Sequence, residues 1–409
     1  GDNVGLLLRG IDKAEVKRVN LEPVRPLQKR TNRFSDRERK MNRLIKQYMD
    51  GTLKIKQDEL TAVERYRLLA QGKKVDRLPC AVDSGETLAP LIGISVDHFY
   101  HSSEKMVEVE EYVYRTFHSD GMGLSTTLRG MAEAMGSEIR YFDNNISQLQ
   151  KPALSSLDEA ETAKKIDVDT DGRLHIILDG LKILKEKYGN EVPVGATVTG
   201  PFTVAAMVVG TEKLLMGMVQ KPEKVKALME IIAENNNRYI KRLIDMKIGI
   251  GFADPVSSTS LLREKQYREF SFPYIKKNVD FIRSQGASAG LHICGKSRKI
   301  WEDVLETGIS AFSLDNIEDL AEAKAVMGDK VSLSGNIPPV EVLRYGTPEM
   351  VLESGRQCIR KAWDSPKGFT LTSGCQTPMG TPIANLTALM DCARIFGRYP
   401  IDEELLAEE

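Results

Sequence analysis

The sequence predicts an α/β fold, a TIM (β/α)8 barrel of eight parallel strands with an N-terminal helical extension. From residue 77 onward, short β-rich runs alternate with longer amphipathic segments, the pattern of a parallel sheet wrapped by helices. Eight such runs occur, and eight strands close a barrel. Each run ends in a polar or metal-binding residue, and barrel active sites are built at the carboxyl ends of strands. The predicted division is an extension, residues 1–56, and a barrel, residues 57–409.

Two amphipathic helices are predicted at the start of the chain, each beginning with a capping box. Ser35 and Glu38 begin the first helix, which ends at Gly51, and Thr61 and Glu64 begin the second. The extension contains 15 Lys or Arg and 7 Asp or Glu, a net charge of +8 in a chain whose net charge is −1. A solvated helical arm is the ordinary interpretation of this charge, and a dock for an acidic partner is the alternative.

Helical segments separate most of the eight predicted strands. One runs from Pro222, in a first helical turn, to Met246, with a buried stripe that includes Leu228 and Ile232. Residues 137–149 alternate over a short range and predict a β-hairpin between the second and third strands. The predicted strands are Leu78–Asp83, Gly121–Thr126, Val192–Thr199, Ile248–Asp254, Ala289–Cys294, Ile309–Asp315, Val331–Asn336 and Phe369–Cys375.

Composition argues against several classes of protein. Lys and Arg number 57 against 58 Asp and Glu, so the overall charge suggests neither a nucleic-acid binder nor a membrane-surface protein. No apolar run reaches the roughly 18 residues that a membrane span requires. The five cysteines are odd in number and scattered, which is typical of a reducing, cytoplasmic setting. Cys80, Cys358 and Cys392 are interpreted as small buried side chains.

A candidate metal site is predicted from His292, Cys294 and Cys375. Side chains two apart in a strand point to the same face, so the first two share one space. Imidazole and thiolate are zinc ligands, and the third residue ends a later strand of the same barrel. Three protein ligands leave one position open, as in catalytic zinc sites. The alternative is a packed pair, because an isolated H-x-C in a buried strand is often only that.

The other polar strand ends supply further candidates. Asp83 and Glu86 are predicted catalytic residues, as a fourth zinc ligand or a proton relay, and a capped turn is the alternative. Asp254 is the third predicted catalytic residue; it either orients His292, contacts the substrate or accepts hydrogen bonds in a local turn. The predicted cofactor-binding residues are Thr199, Asp315 and Asn336.

Six segments between residues 61 and 398 resemble one family. In this order and at these intervals, they resemble the uroporphyrinogen decarboxylase superfamily. The H-I-C-G run with a distant S-G-C resembles its zinc-dependent branch, the corrinoid methyltransferases, which includes methylcobamide:coenzyme M methyltransferases and O-demethylases. The segments are E-R-Y-R-L-L-A-Q-G-K-K-V-D-R-L-P (64–79), T-G-P-F-T (199–203), F-A-D-P (252–255), H-I-C-G (292–295), S-G-N-I-P-P (334–339) and S-G-C-Q-T-P-M-G-T-P-I-A-N (373–385).

The resemblance implies a TIM barrel in which His292, Cys294 and Cys375 hold Zn²⁺. It implies methyl transfer between a corrinoid and a small substrate, either a thiol acceptor such as coenzyme M or a methoxylated or methylated donor. The corrinoid is expected on a separate protein, because the D-x-H-x-x-G cobalamin signature does not occur in the sequence. The resemblance also allows a homodimer.

Two other functions stay open from the sequence. The decarboxylase of this superfamily carries an Arg-rich motif near its N-terminus that grips the carboxylates of its substrate. The corresponding stretch here, residues 76–86, is D-R-L-P-C-A-V-D-S-G-E, with acids in place of an arginine cluster. A decarboxylase of a tetrapyrrole or a smaller acid is one alternative, and a non-catalytic module that binds a corrinoid protein is the other.

Overall fold

A computed structural model describes residues 36–407, with side chains from residue 38 onward. Seven parallel strands form one sheet in the order β1-β4-β5-β6-β7-β8-β9, and an antiparallel pair, β2 and β3, forms a separate hairpin. The strands are β1 Met122–Ser125, β2 Glu138–Arg140, β3 Gln148–Lys151, β4 Val194–Thr199, β5 Gly249–Ala253, β6 Ala289–Ile293, β7 Ala311–Leu314, β8 Ser332–Ile337 and β9 Phe369–Ser373.

The hairpin and seven of the eight predicted barrel strands are confirmed, whereas the strand predicted at Leu78–Asp83 is wrong as a regular strand. It forms only an isolated parallel bridge, between Cys80 and Leu371 of β9. On its other side the Cys80 N–H donates to the Asp120 carboxylate, at 2.9 Å, and the Val82 N–H donates to the Ser119 hydroxyl, at 2.9 Å. A regular ladder cannot form there, because side chains occupy the donors that a strand would use.

The segment around Cys80 nevertheless completes the barrel. The Ala81 N–H donates to the Leu371 carbonyl at 3.0 Å, and the Asp120 N–H, just before β1, donates to the Cys80 carbonyl at 2.9 Å. These bonds join the two outer strands of the sheet, β9 and β1, through one short segment. The result is the predicted TIM-barrel fold, with seven regular strands and one irregular connection.

A buried group of charges fixes this connection. Asp120 accepts from the guanidinium of Arg65 at 2.7 Å and from that of Arg77 at 2.6 Å. Arg65 also pairs with Asp76 at 2.8 Å, and all four side chains are almost completely buried. Because each arginine has a carboxylate partner, the cost of burying its charge is offset by short charge-assisted hydrogen bonds.

Helices cover the outside of the barrel. The α-helices are α1 Asp36–Met49, α2 Ala62–Ala70, α3 Val96–His101, α4 Ser103–Phe117, α5 Gly130–Ala134, α6 Leu174–Tyr188, α7 Pro201–Val209, α8 Thr211–Gln220, α9 Pro222–Asp245, α10 Glu264–Gln266, α11 Phe272–Ser284, α12 Trp301–Glu306, α13 Leu320–Met327, α14 Pro348–Ala362, α15 Ile383–Phe396 and α16 Glu403–Leu406. Short 3₁₀ or π segments are Glu86–Ile92, Leu157–Thr162, Pro255–Ser257, Tyr267–Ser271, Arg298–Ile300 and Pro339–Arg344.

Two helix predictions are confirmed in detail. The capping box of α2 is formed by Thr61 and Glu64, each side chain accepting a hydrogen bond from the backbone of the other. In α9, the predicted stripe that includes Leu228 and Ile232 is fully buried. The capping box predicted at Ser35 lies outside the described residues.

The described part of the N-terminal extension packs on the barrel. Helix α1 contacts α14 and α16, and Tyr48 donates its hydroxyl hydrogen to Asp391 on α15 at 2.8 Å. Met41 and Leu44 pack against the main core. A boundary after residue 56 stays a prediction.

No single helix among the described residues has the length and apolar character of a bilayer span. Helices α7 and α8 together reach that length and apolar character, but the chain bends by 105° between them.

Replacing Asp120 with Asn should destabilise the protein strongly. The change leaves two buried guanidinium groups without their shared carboxylate, for which a loss of about 3–5 kcal/mol in the free energy of unfolding is expected. Chemical denaturation of both proteins measures this loss. Lys276→Ala, which breaks an exposed pair with Asp280, is the matched control and should cost at most about 1 kcal/mol. An equally small loss in the Asp120 variant would show that the buried charges do not hold the barrel closed.

Candidate metal centre

Two strands of the barrel deliver three metal-binding side chains to one place. His292 lies in β6, Cys294 follows that strand directly, and Cys375 comes two residues after β9. The two strands are three positions apart in the sheet order. Because the carboxyl ends of parallel strands in a closed barrel open onto the same mouth, residues 81 positions apart in the chain meet there.

The distances between the three ligand atoms suit a single metal ion. All three atoms lie within 4.8 Å of one another. The two Sγ atoms are 3.6 Å apart, close to the about 3.8 Å that tetrahedral zinc with Zn–S bonds of about 2.3 Å requires. The distance from His292 Nε2 to Cys294 Sγ is 3.0 Å, shorter than the about 3.6 Å of the same geometry. The donor set and its spacing therefore fit zinc after a small outward adjustment of the imidazole.

Ser313 orients the imidazole, a contact that the sequence analysis missed. His292 Nδ1 lies 3.0 Å from the Ser313 hydroxyl oxygen and 3.2 Å from its carbonyl oxygen. With a proton on Nδ1, the ring donates to these acceptors, and Nε2 is the nitrogen that faces the sulfurs and is available to a metal. Ser313 is the direct pairing partner of His292 on β7. The sequence could therefore have indicated Ser313 only if the register between β6 and β7 had been known.

The three ligands perturb one another electrostatically. The Cys294 thiol donates a hydrogen bond to the Cys375 sulfur, and with His292 this lowers the pKa of Cys375 to about 4. The same interaction raises the pKa of Cys294, because the neighbouring thiolate and burial both favour its neutral form. Burial lowers the pKa of His292, but contact with Cys375 outweighs burial and raises it overall. These interactions favour the thiolate form of Cys375, which is the form that binds metals.

The turn after Cys294 depends on a glycine and on Asp315. Gly295 has a positive φ of 78°, and a Cβ atom there would lie 2.9 Å from the hydroxyl oxygens of both Ser258 and Ser260. Its N–H donates to the Asp315 carboxylate at 2.7 Å. Asp315, predicted to bind a cofactor, therefore lies where it fixes the loop that carries a ligand.

The other two predicted cofactor-binding residues differ in their positions. Thr199 lines the cavity at the mouth, and its hydroxyl donates to the Thr127 carbonyl at 2.6 Å. The Asn336 amide donates to the carbonyls of Asp315 and Glu318 at 3.2 and 2.7 Å, and the residue is buried. These contacts commit Asn336 to holding a loop, and cofactor binding by either residue stays a prediction.

Asp254 lies beside the centre, but its carboxylate turns away from the ligands. It accepts hydrogen bonds from the hydroxyls of Thr203 and Ser257, each at 2.7 Å, and is 1% exposed. Burial raises its pKa in spite of these bonds. Three roles were predicted for Asp254, and the bond from Ser257, three residues later, supports the role of an acceptor in a local turn. The orientation of His292, which Asp254 was one candidate to provide, comes from Ser313.

Asp83 and Glu86 reach the cavity without partners. Within the described residues, neither carboxylate accepts a hydrogen bond or forms an ion pair, although Glu86 is only 4% exposed. The Asp83 side chain is exposed to solvent inside the cavity, and protein atoms surround it on the other sides. Desolvation, then the nearby Cys375 sulfur, raises the pKa of Asp83 to about 7. The structure thus brings both acids together with the metal ligands, and a capped turn does not account for their side chains.

Another acid behind these two was not found from the sequence. Glu110 of α4 is 1% exposed and accepts hydrogen bonds from the Ser84 hydroxyl at 2.7 and 2.9 Å. Burial raises the pKa of Glu110 to about 7, although the bond from Ser84 opposes this. Glutamate in an amphipathic helix is ordinarily exposed, so only the packing of α4 on the barrel reveals this residue.

A cavity of about 640 Å³ lies at the barrel mouth. Its walls include the three candidate ligands, both acids, Thr199 and aromatic side chains such as Tyr100. Two arginines, Arg129 and Arg173, also line it, and neither was singled out in the sequence. The fold and the cavity together define a TIM-barrel protein with a candidate His-Cys-Cys metal centre.

The chain belongs to the uroporphyrinogen decarboxylase (URO-D) family, whose sequence model matches residues 61–396. The methylcobamide:CoM methyltransferase MtbA of Methanosarcina mazei is 30% identical over 346 residues, which cover 83% of this chain and 99% of that relative. The uroporphyrinogen decarboxylase of Chlorobium limicola is 29% identical over 241 residues, which cover 56% of this chain and 66% of the relative. The predicted family membership is confirmed.

A solved structure supports the fold. It is a methyltransferase from Methanosarcina mazei, with a TM-score of 0.74 and 23% sequence identity, and the match covers 83% of this chain and 99% of that one. At this identity, the likeness bears on the barrel fold alone. The region that remains unmatched is about a sixth of the chain.

If the three side chains bind zinc, purified protein should contain about one zinc ion per chain. Elemental analysis of Cys294→Ala and Cys375→Ala should show most of that zinc lost, because each change removes one of three protein ligands. Cys358→Ala is the matched control, since Cys358 is buried elsewhere against Asn336, and it should retain the metal. Equal zinc content in all of these proteins would rule out this centre.

Proposed function

We propose that the protein is a zinc-dependent methyltransferase, which moves a methyl group between a corrinoid on a partner protein and a small substrate. The observation that carries the proposal is the meeting of one imidazole and two thiols beside a cavity at the barrel mouth. The sequence relationship to MtbA over nearly the whole length of that relative supports the same reaction class.

His292, Cys294 and Cys375 would hold the metal. When bound, zinc supplies Lewis acidity, which favours the thiolate form of a thiol substrate or polarises the C–O bond of a methyl ether. The Ser313 contact keeps Nε2 of His292 available as a ligand, and Asp315 and Gly295 hold the loop that presents Cys294. The ligands therefore need little rearrangement when they bind.

The acids of the cavity have a proposed role in moving the proton. Methylation of a thiol releases a proton, and removal of a methyl group from an ether requires one on the oxygen. The Asp83 carboxyl faces the cavity without a hydrogen-bond partner in the described residues and is close enough to influence the Cys375 sulfur. It is placed to accept the proton in the first case and to donate it in the second. Glu86 supplies a neighbouring carboxylate for the same exchange.

The corrinoid partner must present its cofactor at the open mouth of the barrel. The sequence lacks the D-x-H-x-x-G cobalamin signature, so the cofactor is assigned to a separate protein. The basic segment 1–56 is proposed as an extension that helps to dock this partner, through its net charge of +8. Five cysteines without disulfides support a reducing cytoplasm as the proposed location. A homodimer is a proposed assembly.

A tetrapyrrole decarboxylase fits the site less well. Within residues 76–86, the sole arginine is Arg77, and its guanidinium is buried against Asp58 and Asp120. It is therefore not free to bind carboxylates of a polyanionic substrate. Asp83 and Glu86, which line the cavity nearby, would repel such a substrate. The shorter match to the decarboxylase of Chlorobium limicola agrees with this conclusion.

Zinc-loaded protein should catalyse methyl exchange between a corrinoid and at least one member of a panel of thiols and methoxyarenes. With methylcobalamin as the donor, we expect Cys294→Ala and Cys375→Ala to retain less than about 1% of the rate, because the reacting atom loses its Lewis acid. Absorbance changes of the corrinoid measure the rate, and Cys358→Ala is again the control. Metal-free protein that transfers methyl groups at the full rate would refute zinc dependence. Capture of a methylated corrinoid protein without turnover of any panel member would favour the binding module.

A further inference from the structure

Small side chains line the interior of the barrel beneath the candidate metal ligands. Residues two apart in a strand share a face, and so do residues that pair directly in neighbouring parallel strands. Across the seven barrel strands, every residue on the same face as His292 is Gly, Ala, Ser or Thr, apart from His292 itself and Asn336. Layers of bulky branched side chains ordinarily fill the interior of a TIM barrel. The interior of this barrel is therefore hollow.

The cavity at the mouth continues into this hollow interior. Its walls include Gly290, two residues before His292 on β6, and also Gly195 on β4 and Gly251 on β5. At a rise of about 3.3 Å per residue, Gly290 lies about 7 Å along the strand from His292, away from the mouth. A cavity of about 640 Å³ can enclose a ligand much larger than a simple thiol. The part of the cavity bounded by Gly195, Gly251 and Gly290 is the inner chamber.

The three glycines keep the inner chamber open, although the backbone does not require them. None of them has a positive φ, and the strand pairing beside them is regular. A Cβ atom at Gly251 would meet no atom of the described residues within 4 Å, and at Gly195 and Gly290 the nearest atoms would lie at 3.6 and 3.5 Å. Glycine weakens the interior of a strand and often marks a place where a ligand approaches the backbone. Room for a ligand is thus a reason for glycine at these positions.

Three hydroxyl groups in the cavity wall lack a partner. Within the described part of the chain, the side-chain oxygens of Thr197, Ser334 and Thr372 form no hydrogen bond, and all three residues are half-buried and line the cavity. Apart from His292, no residue on this face of the strands is ionisable. An apolar ligand would leave the hydroxyls unpaired, and a charged one would lack a counter-ion. The lining therefore favours an uncharged group that forms hydrogen bonds.

We propose that the inner chamber binds an uncharged, hydrogen-bonding tail of the small substrate, and that Gly251 sets how long this tail can be. The identity of the reacting end, a sulfur or a methoxyl group at the metal ligands, rests on the proposed function. Binding of the tail does not, because the strands supply the chamber lining independently of the ligands. The substrate class is then a neutral, polar molecule whose hydrogen-bonding groups are remote from the reacting atom.

Calorimetric titration of zinc-loaded protein with matched probes tests the length of the tail. The thiol probes are 2-mercaptoethanol and the longer 2-(2-mercaptoethoxy)ethanol, and the ether probes are methoxybenzene and 4-methoxybenzyl alcohol. We expect the wild type to bind the longer probe of at least one pair about tenfold or more tightly than the shorter one. Gly251→Val should reduce this gain to about twofold or less, because the new side chain occupies the chamber. Gly251→Ala, whose Cβ atom has free space, should reduce it in part.

Thr197→Val tests the polarity of the chamber, because it removes one unpartnered hydroxyl and keeps the shape of the side chain. Relative to 1-hexanethiol, an apolar thiol with the same number of non-hydrogen atoms, the affinity for 2-(2-mercaptoethoxy)ethanol should fall about fivefold or more. The pair 4-methoxybenzyl alcohol and 4-ethylanisole measures the same ratio for ethers. Thr170→Val is the matched control and should keep the wild-type ratios, because Thr170 is exposed and does not line the cavity.

Thermal unfolding and zinc content verify that each variant is folded and retains the metal. The proposal is overturned if the wild type shows no gain with length, or if neither Gly251 variant reduces the gain; the chamber then holds water alone. Ratios that Thr197→Val leaves unchanged overturn the hydrogen-bonding role of the lining. If the gain depends on Gly251 but no probe exchanges its methyl group with a corrinoid, the chamber stands and the proposed function fails. Methyl transfer with equal affinity for short and long probes has the opposite meaning.

Discussion

Closure of the barrel is the constraint on which the site depends. The sheet has two outer strands, β1 and β9, and the irregular segment around Cys80 bonds to both of their ends. The Asp120 carboxylate accepts a hydrogen bond from the backbone N–H of Cys80 in that segment. The guanidinium groups of Arg65 and Arg77 fix the same carboxylate in place. If this connection opened, Cys375 at the end of β9 would no longer be kept opposite the end of β6. A network remote from the reacting atoms therefore sets the distance between two ligands.

The chemistry available at the barrel mouth follows from the reactive side chains that the closed barrel brings together there. Three candidate ligand atoms share a cavity with the carboxylates of Asp83 and Glu86, which have no hydrogen-bond or ion-pair partner in the part of the chain that the structure describes. Burial favours the neutral form of Asp83, whereas the hydrogen bond from Cys294 and the contact with His292 favour the thiolate form of Cys375.

The sequence predicted those features that local pattern or spacing determines. Alternating and periodic apolar residues located seven barrel strands, the hairpin and α9, and capping chemistry located the start of α2. The strand predicted at Leu78–Asp83 is irregular because Asp120 and Ser119 take its donors, contacts that arise only in the folded chain. The importance of Ser313 and Glu110 also depends on packing between distant segments. For the same reason, the sequence could not show that the polar groups of Asp254 and Asn336 are used in loop contacts.

The central claim is that one imidazole and two thiolates bind a single zinc ion and leave a position open. X-ray absorption at the zinc edge of the purified protein tests it most directly. The account predicts two sulfur neighbours at about 2.3 Å, one imidazole nitrogen at about 2.0–2.1 Å, and a fourth light atom that is replaced by sulfur when a thiol substrate is added. A zinc environment of oxygen and nitrogen alone, unchanged by thiols, would contradict it.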